Sequence, residues 1–401
     1  MRSIGRVAAV TTFVVLVASA AAGCGSSGSS GGGDSGPIKL GQLASLTGNY
    51  APLGTNDKLG AAQAVKEIND AGGLLGGRQL ELAVKDDGSA PDQAVIAFNN
   101  LASSGVAAMV GSSFSNSSLA VIPLAERQKV TYVSTAASDE QVDPVRPYTF
   151  MTPPTAGAVA EQLLKYFKAQ GVTKMAVAVD TKNAFAVTGW KKMSDLAGKY
   201  GVEFVTQETF ETSTTDFSAV FTHVRGTSAQ GLMVWTTGAP AVTITKQFAT
   251  AGLKMGLVMS HAEASTLYTQ PSGVAANGVT VASSLGVVGP DLPDSTVKTI
   301  TQKMAQPFQQ ANGYYPPQFG LDGYNAVQII AAGITKAGST DSAKIQKAVE
   351  GLSLVSTQGE YKFSPKDHSG LTSDDVVISV VKDGNFVPTP WSKLELSRTL
   401  K

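Results

Sequence analysis

The chain has 401 residues, with 31 basic and 31 acidic side chains, three histidines and a single cysteine. That balance supplies no basic stripe for nucleic acid, one cysteine forms no intrachain disulfide, and three scattered histidines argue against a zinc site. With 43% hydrophobic residues the chain can bury a substantial core, and its length favours two domains.

The N-terminus carries Arg2 and Arg6, then an uncharged run over Val7–Ala22 that ends in small residues before Cys24. A basic start, a short apolar run and small residues at a cut describe a secretory signal peptide; the run is marginal for a membrane span, which takes about 20 apolar residues. The small residues directly before the cysteine resemble a bacterial lipobox, with Ala21 where leucine is usual. The resemblance implies removal of residues 1–23 and lipidation of Cys24; the alternative is an ordinary signal peptide cut nearby. Loss of Arg2 and Arg6 leaves 29 basic against 31 acidic residues, a formal charge of −2. From Gly25 to Gly36 the chain is glycine, serine and one aspartate, a flexible tether with a reach of about 20 Å. The implied location is outside the cytoplasm, anchored to the cell membrane or facing the periplasm.

Beyond the tether, short β-rich runs alternate with helical patterns. Strands are expected at Ile38–Ala44, Gln79–Asp86, Ala107–Val110, Val130–Ser134, Lys174–Asp180, Glu203–Phe210, Gly231–Trp235 and Gly256–Ser260. Helices are expected between them at Lys58–Asn69, Pro91–Leu101, Ser115–Arg127, Gly157–Gln170, Ala184–Tyr200, Phe217–Arg225 and Ala239–Ala251. In the first of these, Leu59, Ala62, Val65 and Ile68 mark one helix face. Such alternation predicts βαβ units and parallel sheets covered on both faces. Met151-Thr-Pro-Pro-Thr155 interrupts the series, since two prolines fit neither a helix interior nor a central strand. The expected architecture is α/β: two doubly wound parallel-sheet lobes with about three hinge crossings, near Pro153–Thr155, Ser283–Leu285 and Leu354–Thr357. After Val281 come helices at Ser295–Gln310, Gly320–Lys336 and Ser342–Leu352, then strands at Glu360–Phe363 and Val376–Lys382 with a hairpin turn at 382–385. The expected division is residues 37–154 plus 284–356 for the N-terminal lobe and 155–283 plus 357–396 for the C-terminal lobe.

Several segments of the first lobe resemble the branched-chain amino-acid-binding proteins, solute-binding components of ABC importers with the type I periplasmic-binding fold. They are Leu46-Thr-Gly-Asn-Tyr-Ala-Pro-Leu-Gly54, Ala64-Val-Lys-Glu-Ile-Asn-Asp-Ala-Gly-Gly73, Lys85-Asp-Asp-Gly-Ser-Ala-Pro-Asp92, Val110-Gly-Ser-Ser-Phe-Ser115 and Tyr132-Val-Ser-Thr-Ala-Ala-Ser138. Looser similarity runs through Leu321-Asp-Gly-Tyr-Asn-Ala326 and Lys382-Asp-Gly384. The physics agrees, because ligands of open α/β sheets bind beyond the carboxyl ends of strands and a helix N-terminus such as the one near Ser115 suits a carboxylate. The resemblance implies that Ser115 and Ser138 offer hydroxyls to a ligand carboxylate and that the Ala136 carbonyl accepts from a ligand ammonium. The serines also fit plain helix capping and loop solvation. Tyr50 and Leu53, expected in a loop, would wall the pocket or simply pack.

In the second lobe, Asp180-Thr-Lys-Asn-Ala-Phe185 stands where such binders often carry Tyr-Gly, so Phe185 would replace the tyrosine as a wall. Trp235 would face the ligand or anchor the core. Glu263 lies one residue from the position of an acid that pairs with a ligand ammonium, and reads otherwise as a surface glutamate. No nucleophile elbow, zinc-protease helix or phosphate loop is present, so the expectation is a binder with no cofactor, not an enzyme. The function implied is capture of a small solute by hinge closure and delivery to ABC permease subunits. A sensor reporting occupancy to a membrane receptor is the alternative. Leucine-like amino acids and aromatic carboxylates are the two ligand classes.

Overall fold

The computed structural model describes residues 36–400; the signal peptide, most of the tether and Cys24 lie outside them. The first sheet is built from β1 (Ile38–Ala44), β2 (Leu80–Asp86), β3 (Ala108–Val110), β4 (Tyr132–Ser134) and β5 (Thr149–Met151), parallel throughout in the order β2-β1-β3-β4-β5. The second takes β6 (Lys174–Asp180), β7 (Glu203–Phe210), β8 (Gly231–Trp235), β9 (Gly256–Met259) and β10 (Thr280–Ser284), again parallel. A small hairpin, β11 (Ser353–Ser356) with β12 (Gly359–Lys362), belongs to neither sheet. Two antiparallel strands from the end of the chain, β13 (Val376–Lys382) and β14 (Asn385–Pro388), complete the second sheet in the order β14-β13-β10-β9-β8-β6-β7. The central strands are buried on both faces, as in β3, β4 and β8, which is why they read as continuous apolar runs rather than alternating ones.

The helices are α1 (Ala51–Asp70), α2 (Pro91–Ser103), α3 (Ser115–Gln128), α4 (Ala156–Ala169), α5 (Ala184–Tyr200), α6 (Ser218–Arg225), α7 (Ala239–Thr250), α8 (Thr266–Ser272), α9 (Thr296–Asn312), α10 (Gln318–Ala337), α11 (Ser342–Val349) and α12 (Pro390–Thr399). Most expected elements fall within one or two residues of these. The first helix is the exception: it begins at Ala51 rather than Lys58, with Pro52 in its first turn, where a missing N–H costs nothing. Tyr50 and Leu53 are therefore at a helix start, not in a loop. Gly54 is needed there, because a Cβ on it would lie 2.2 Å from the Ser45 carbonyl oxygen. The strands β5, β10, β11 and β14 and the helices α8 and α12 fall outside the expected set; β5, β11, β14 and α8 are short, whereas α12 runs ten residues but buries only Ser392 and Leu396. The expected turn at 382–385 joins β13 to β14 through Asp383 and Gly384, both with positive φ, the backbone that a two-residue hairpin needs.

Helices α1 and α10 pack backbone to backbone. A Cβ on Gly60 would sit 1.9 Å from the Gly320 oxygen, and one on Gly323 would sit 2.1 Å from the Asp57 oxygen. Only glycines allow this approach, and it brings Asp57 and Asp322 together beneath the ends of the first sheet.

Candidate functional site

Each sheet reverses its strand order at one point: between β1 and β3 in the first, between β6 and β8 in the second. The loops after those strands are where a doubly wound sheet receives a ligand. In this molecule the two sets of loops face each other across one cleft, drawn in to about 20 Å³ of free space, room for little more than a water, so a solute enters only when the lobes part. The first lobe contributes Tyr50 and Leu53 after β1, Ser113 to Ser115 after β3, and Thr135 to Ala137 after β4. The second contributes Asn183 and Phe185 after β6, Thr237 after β8, and His261 and Ala262 after β9. Phe319 and Asp322 of α10 close the wall.

The first-lobe loops are held by a buried aspartate. Asp87 accepts from the Ser45 hydroxyl at 2.7 Å and the Ser112 hydroxyl at 2.5 Å, tying the ends of β1 and β3 to that of β2. The Ser118 hydroxyl donates to the Ser112 carbonyl at 2.8 Å, so Ser112 and Ser118 serve the scaffold. Ser113 and Ser115 are left facing the cleft, and the Ser113 hydroxyl has no hydrogen-bond partner among the described residues. Ser115 opens α3, whose N-cap Phe114 offers no side-chain oxygen, leaving the first-turn N–H groups open to an anion.

The side walls are aromatic. Tyr50 stacks on Phe114 with ring centroids 4.1 Å apart, and Phe185 meets His261 edge-on at 5.3 Å. Burial pushes the Tyr50 hydroxyl up to about 12, and that hydroxyl faces Thr212 and Asn183 of the opposite lobe. Asn183 donates to the Thr237 hydroxyl at 2.7 Å. The lobes also touch directly: Asn116 of α3 donates to the Lys182 carbonyl at 3.1 Å and accepts from the Ala184 N–H at 3.0 Å. The cleft is closed.

Its charges are muted. Burial drives Asp322 up to about 8, against the opposing pull of the Gln358 and Gln318 amides that donate to it. Asp57, behind it, is raised well above an ordinary aspartate, first by burial and then by the neighbouring Asp322. Burial also lowers His261 to about 3, so its ring is neutral, and its Nδ1 has no partner among the described residues.

Of the residues singled out in the sequence, Tyr50, Ser115, Ala136 and Phe185 line this cleft. Ser138, Trp235 and Glu263 do not. The Ser138 hydroxyl is taken by the Glu140 carboxylate and lies 3.4 Å from the Thr188 hydroxyl, at the seam between the lobes. Trp235 is fully buried behind Phe185, at 5.5 Å between ring centroids, and covers Gly189, where a Cβ would fall 2.3 Å from the indole. It anchors the core. Glu263, far from being a surface residue, is 1% exposed and lines a second, adjoining chamber. Sequence reasoning missed Ser113, His261, Phe319 and Asp322. Ser113 and Asp322 fell in segments carrying family similarity, and nothing local marks His261 as inward-facing.

A pair of opposed α/β lobes closing their carboxyl-end loops over one cleft defines a solute-binding protein. The sequence pattern of the periplasmic binding protein family matches residues 37–385, and the chain belongs to that family, which is extracytoplasmic and consists of solute binders, not enzymes. The chain is 26% identical over 354 residues to Leu/Ile/Val-binding protein homolog 3 of Brucella melitensis, covering 87% of this chain and 93% of that protein. It shares its fold with a branched-chain amino acid transporter substrate binding protein from Streptococcus pneumoniae solved in complex with isoleucine (TM-score 0.78, 22% identity, 87% of this chain and 97% of that one). It also matches an ABC transporter solute binding protein from R. palustris in complex with benzoate (TM-score 0.75, 20% identity, 88% and 95%). Among the described residues no helix is long and apolar enough to cross a membrane.

Proposed function

We propose that the chain is the solute-binding component of an ABC importer, that it captures an aromatic carboxylate in the inter-lobe cleft, and that the closed form delivers it to a permease. The observation that carries the ligand class is the pairing of an open helix start and two serines, Ser113 and Ser115, with an aromatic enclosure of Tyr50, Phe114, Phe185 and Phe319. A ligand amine would need an ionised acid beside it. Asp322 is the carboxyl in the wall, and with the cleft empty burial raises it to about 8; an acid without an amine leaves it neutral, whereas an ammonium would have to draw off its proton. We take the aromatic wall to favour a ring like the benzoate of the R. palustris protein over a branched aliphatic chain like the isoleucine of the S. pneumoniae one.

The lobes in this reading are residues 37–154 plus 284–356 and 155–283 plus 357–396, and lipidation at Cys24 holds the protein at the membrane. One buried network supports the three crossings. The Tyr361 hydroxyl lies 2.6 Å from the Thr152 carbonyl and 2.7 Å from Gln358 Oε1. Gln318 Oε1 accepts from the Ser284 N–H at 3.0 Å, and Asn325 donates to the Thr357 hydroxyl at 2.9 Å. Thr152, Ser284 and Thr357 thus meet where the hinge must bend.

The test is thermal shift on protein unfolded and refolded to strip retained solute. A ligand at a hundredfold excess over its Kd adds about 2.7 kcal/mol, about 3 °C in Tm for a chain of this size. Benzoate is expected to give that shift and Ser115→Ala to reduce it. A shift with leucine and none with benzoate would overturn the ligand class.

A further inference from the structure

Beside the cleft lies a second, roomier chamber of about 320 Å³. The two share Leu53, Ala262 and Phe319 as wall residues, so these side chains are the partition between them. The second chamber is walled by α7 and α8, with Val242, Leu267 and Pro271 among its apolar side chains. One polar side chain in it is without a full set of partners. Glu263 Oε2 accepts from the Ser260 hydroxyl at 2.8 Å, while Oε1 has no partner among the described residues beyond the backbone N–H of Glu263 itself. The neighbouring Tyr268 hydroxyl is 2.8 Å from the Thr245 hydroxyl and is already engaged.

A buried carboxyl oxygen left unpaired is costly, which points to a partner that arrives with the ligand. Burial raises Glu263 to about 8, so near neutral pH it is mainly the acid, able both to donate and to accept. A hydroxyl complements that group; a second carboxylate does not. Resting on the aromatic-carboxylate reading, we propose that the ligand is an elongated benzoate-type acid that occupies both chambers. With the lobes parted enough to admit it, its carboxylate lies at Ser113 and Ser115, its ring lies between Tyr50 and Phe185, and a para chain displaces the Leu53 and Phe319 side chains to place a terminal hydroxyl at Glu263. The apolar walls of the second chamber recognise the chain, and Glu263 recognises its end.

The experiment is calorimetric titration of benzoate, para-propylbenzoate and para-(hydroxypropyl)benzoate into the wild type, Val242→Trp and Glu263→Met. Ratios between ligands within one variant cancel any general effect of the substitution on the fold. In the wild type the propyl chain should improve affinity about tenfold or more over benzoate, with a further gain from the hydroxyl. Val242→Trp, which fills the second chamber, should bring the propyl ratio to near one. Glu263→Met should remove or reverse the hydroxyl gain while keeping the propyl gain. Benzoate binding without a propyl gain, or a gain that survives Val242→Trp, overturns the two-chamber ligand and leaves the carboxylate reading standing. Failure of all three acids to bind overturns both.

Discussion

Glu263→Gln gives a prediction whose sign follows from burial alone. An ordinary glutamate has a pKa of 4.5, and burial raises Glu263 to about 8. Between those values the folded protein keeps a proton that the unfolded chain has released, so stability falls as pH rises. The side chain's contribution is intact below 4.5 and is lost progressively as pH climbs through the folded value of about 8. The fall approaches about 1.4 kcal/mol per pH unit. Between about pH 5.5 and about pH 7.5 the wild type should lose about 2.5 kcal/mol that the glutamine variant keeps. The substituted amide would retain the shape and the hydrogen bond with Ser260 without titrating. Asp322 also rises to about 8, but it titrates in both proteins and cancels in the difference. Burial holds His261 near 3, so it stays neutral throughout. With an unfolding entropy of about 2.1 cal/mol/K per residue, the difference corresponds to a relative Tm change of about 3 °C. Calorimetric scans of the ligand-free proteins across that window measure it. Parallel Tm–pH curves for the two would refute the claim that Glu263 is buried and protonated.

Two other outcomes are expected. Gln358→Leu leaves the buried acceptors of Asp322 and the Tyr361 hydroxyl without a partner they now have, and should lower stability by about 2–4 kcal/mol; an unchanged urea midpoint would remove Gln358 from the hinge network. Cys24→Ser in the full chain, expressed in a bacterium that exports it, should move the protein from the membrane fraction to the soluble one. Retention of the variant in the membrane fraction would count against lipidation there.

The fold was readable because parallel strands buried on both faces announce themselves as unbroken apolar runs and most helices repeat an apolar face; α12, ten residues long, buries only Ser392 and Leu396 and carries no such signal. Among the shortest strands, β3, β4 and β9 sit within longer apolar stretches, whereas β5 and β14 do not, and pairing with a neighbour already in place makes them. The site divided along the same line. Ser115 is fixed by local chemistry, a serine at the first turn of a helix that follows a strand. Trp235 depended on parity: as the last residue of β8 it points to the face opposite Val234, into the cluster with Phe185, and only a register known to one residue decides that. His261 and Glu263 depended on a single short turn. They sit two residues apart on one turn of 3-10 helix, which sends the imidazole to the first cavity and the carboxyl to the second. An alignment uncertain by one residue cannot separate them.

Asp322 joins these local facts to closure. It lies in the wall of the cleft, yet its oxygens accept from Gln318 at 3.1 and 3.2 Å and from Gln358 at 2.5 Å. Those two amides reach the backbone of Ser284 and, through Tyr361, that of Thr152. In the proposed division these positions flank the crossings, so a solute that presses on Asp322 presses on the hinge by one intervening side chain. The buried state of the carboxyl makes this coupling directional. While protonated it tolerates the closed, water-free cleft; once ionised it would carry an uncompensated charge there, which favours the open, hydrated arrangement. A solute without an amine leaves the proton in place and is compatible with closure. In the proposed aromatic-carboxylate reading, closure is thereby sensitive to what the cleft contains.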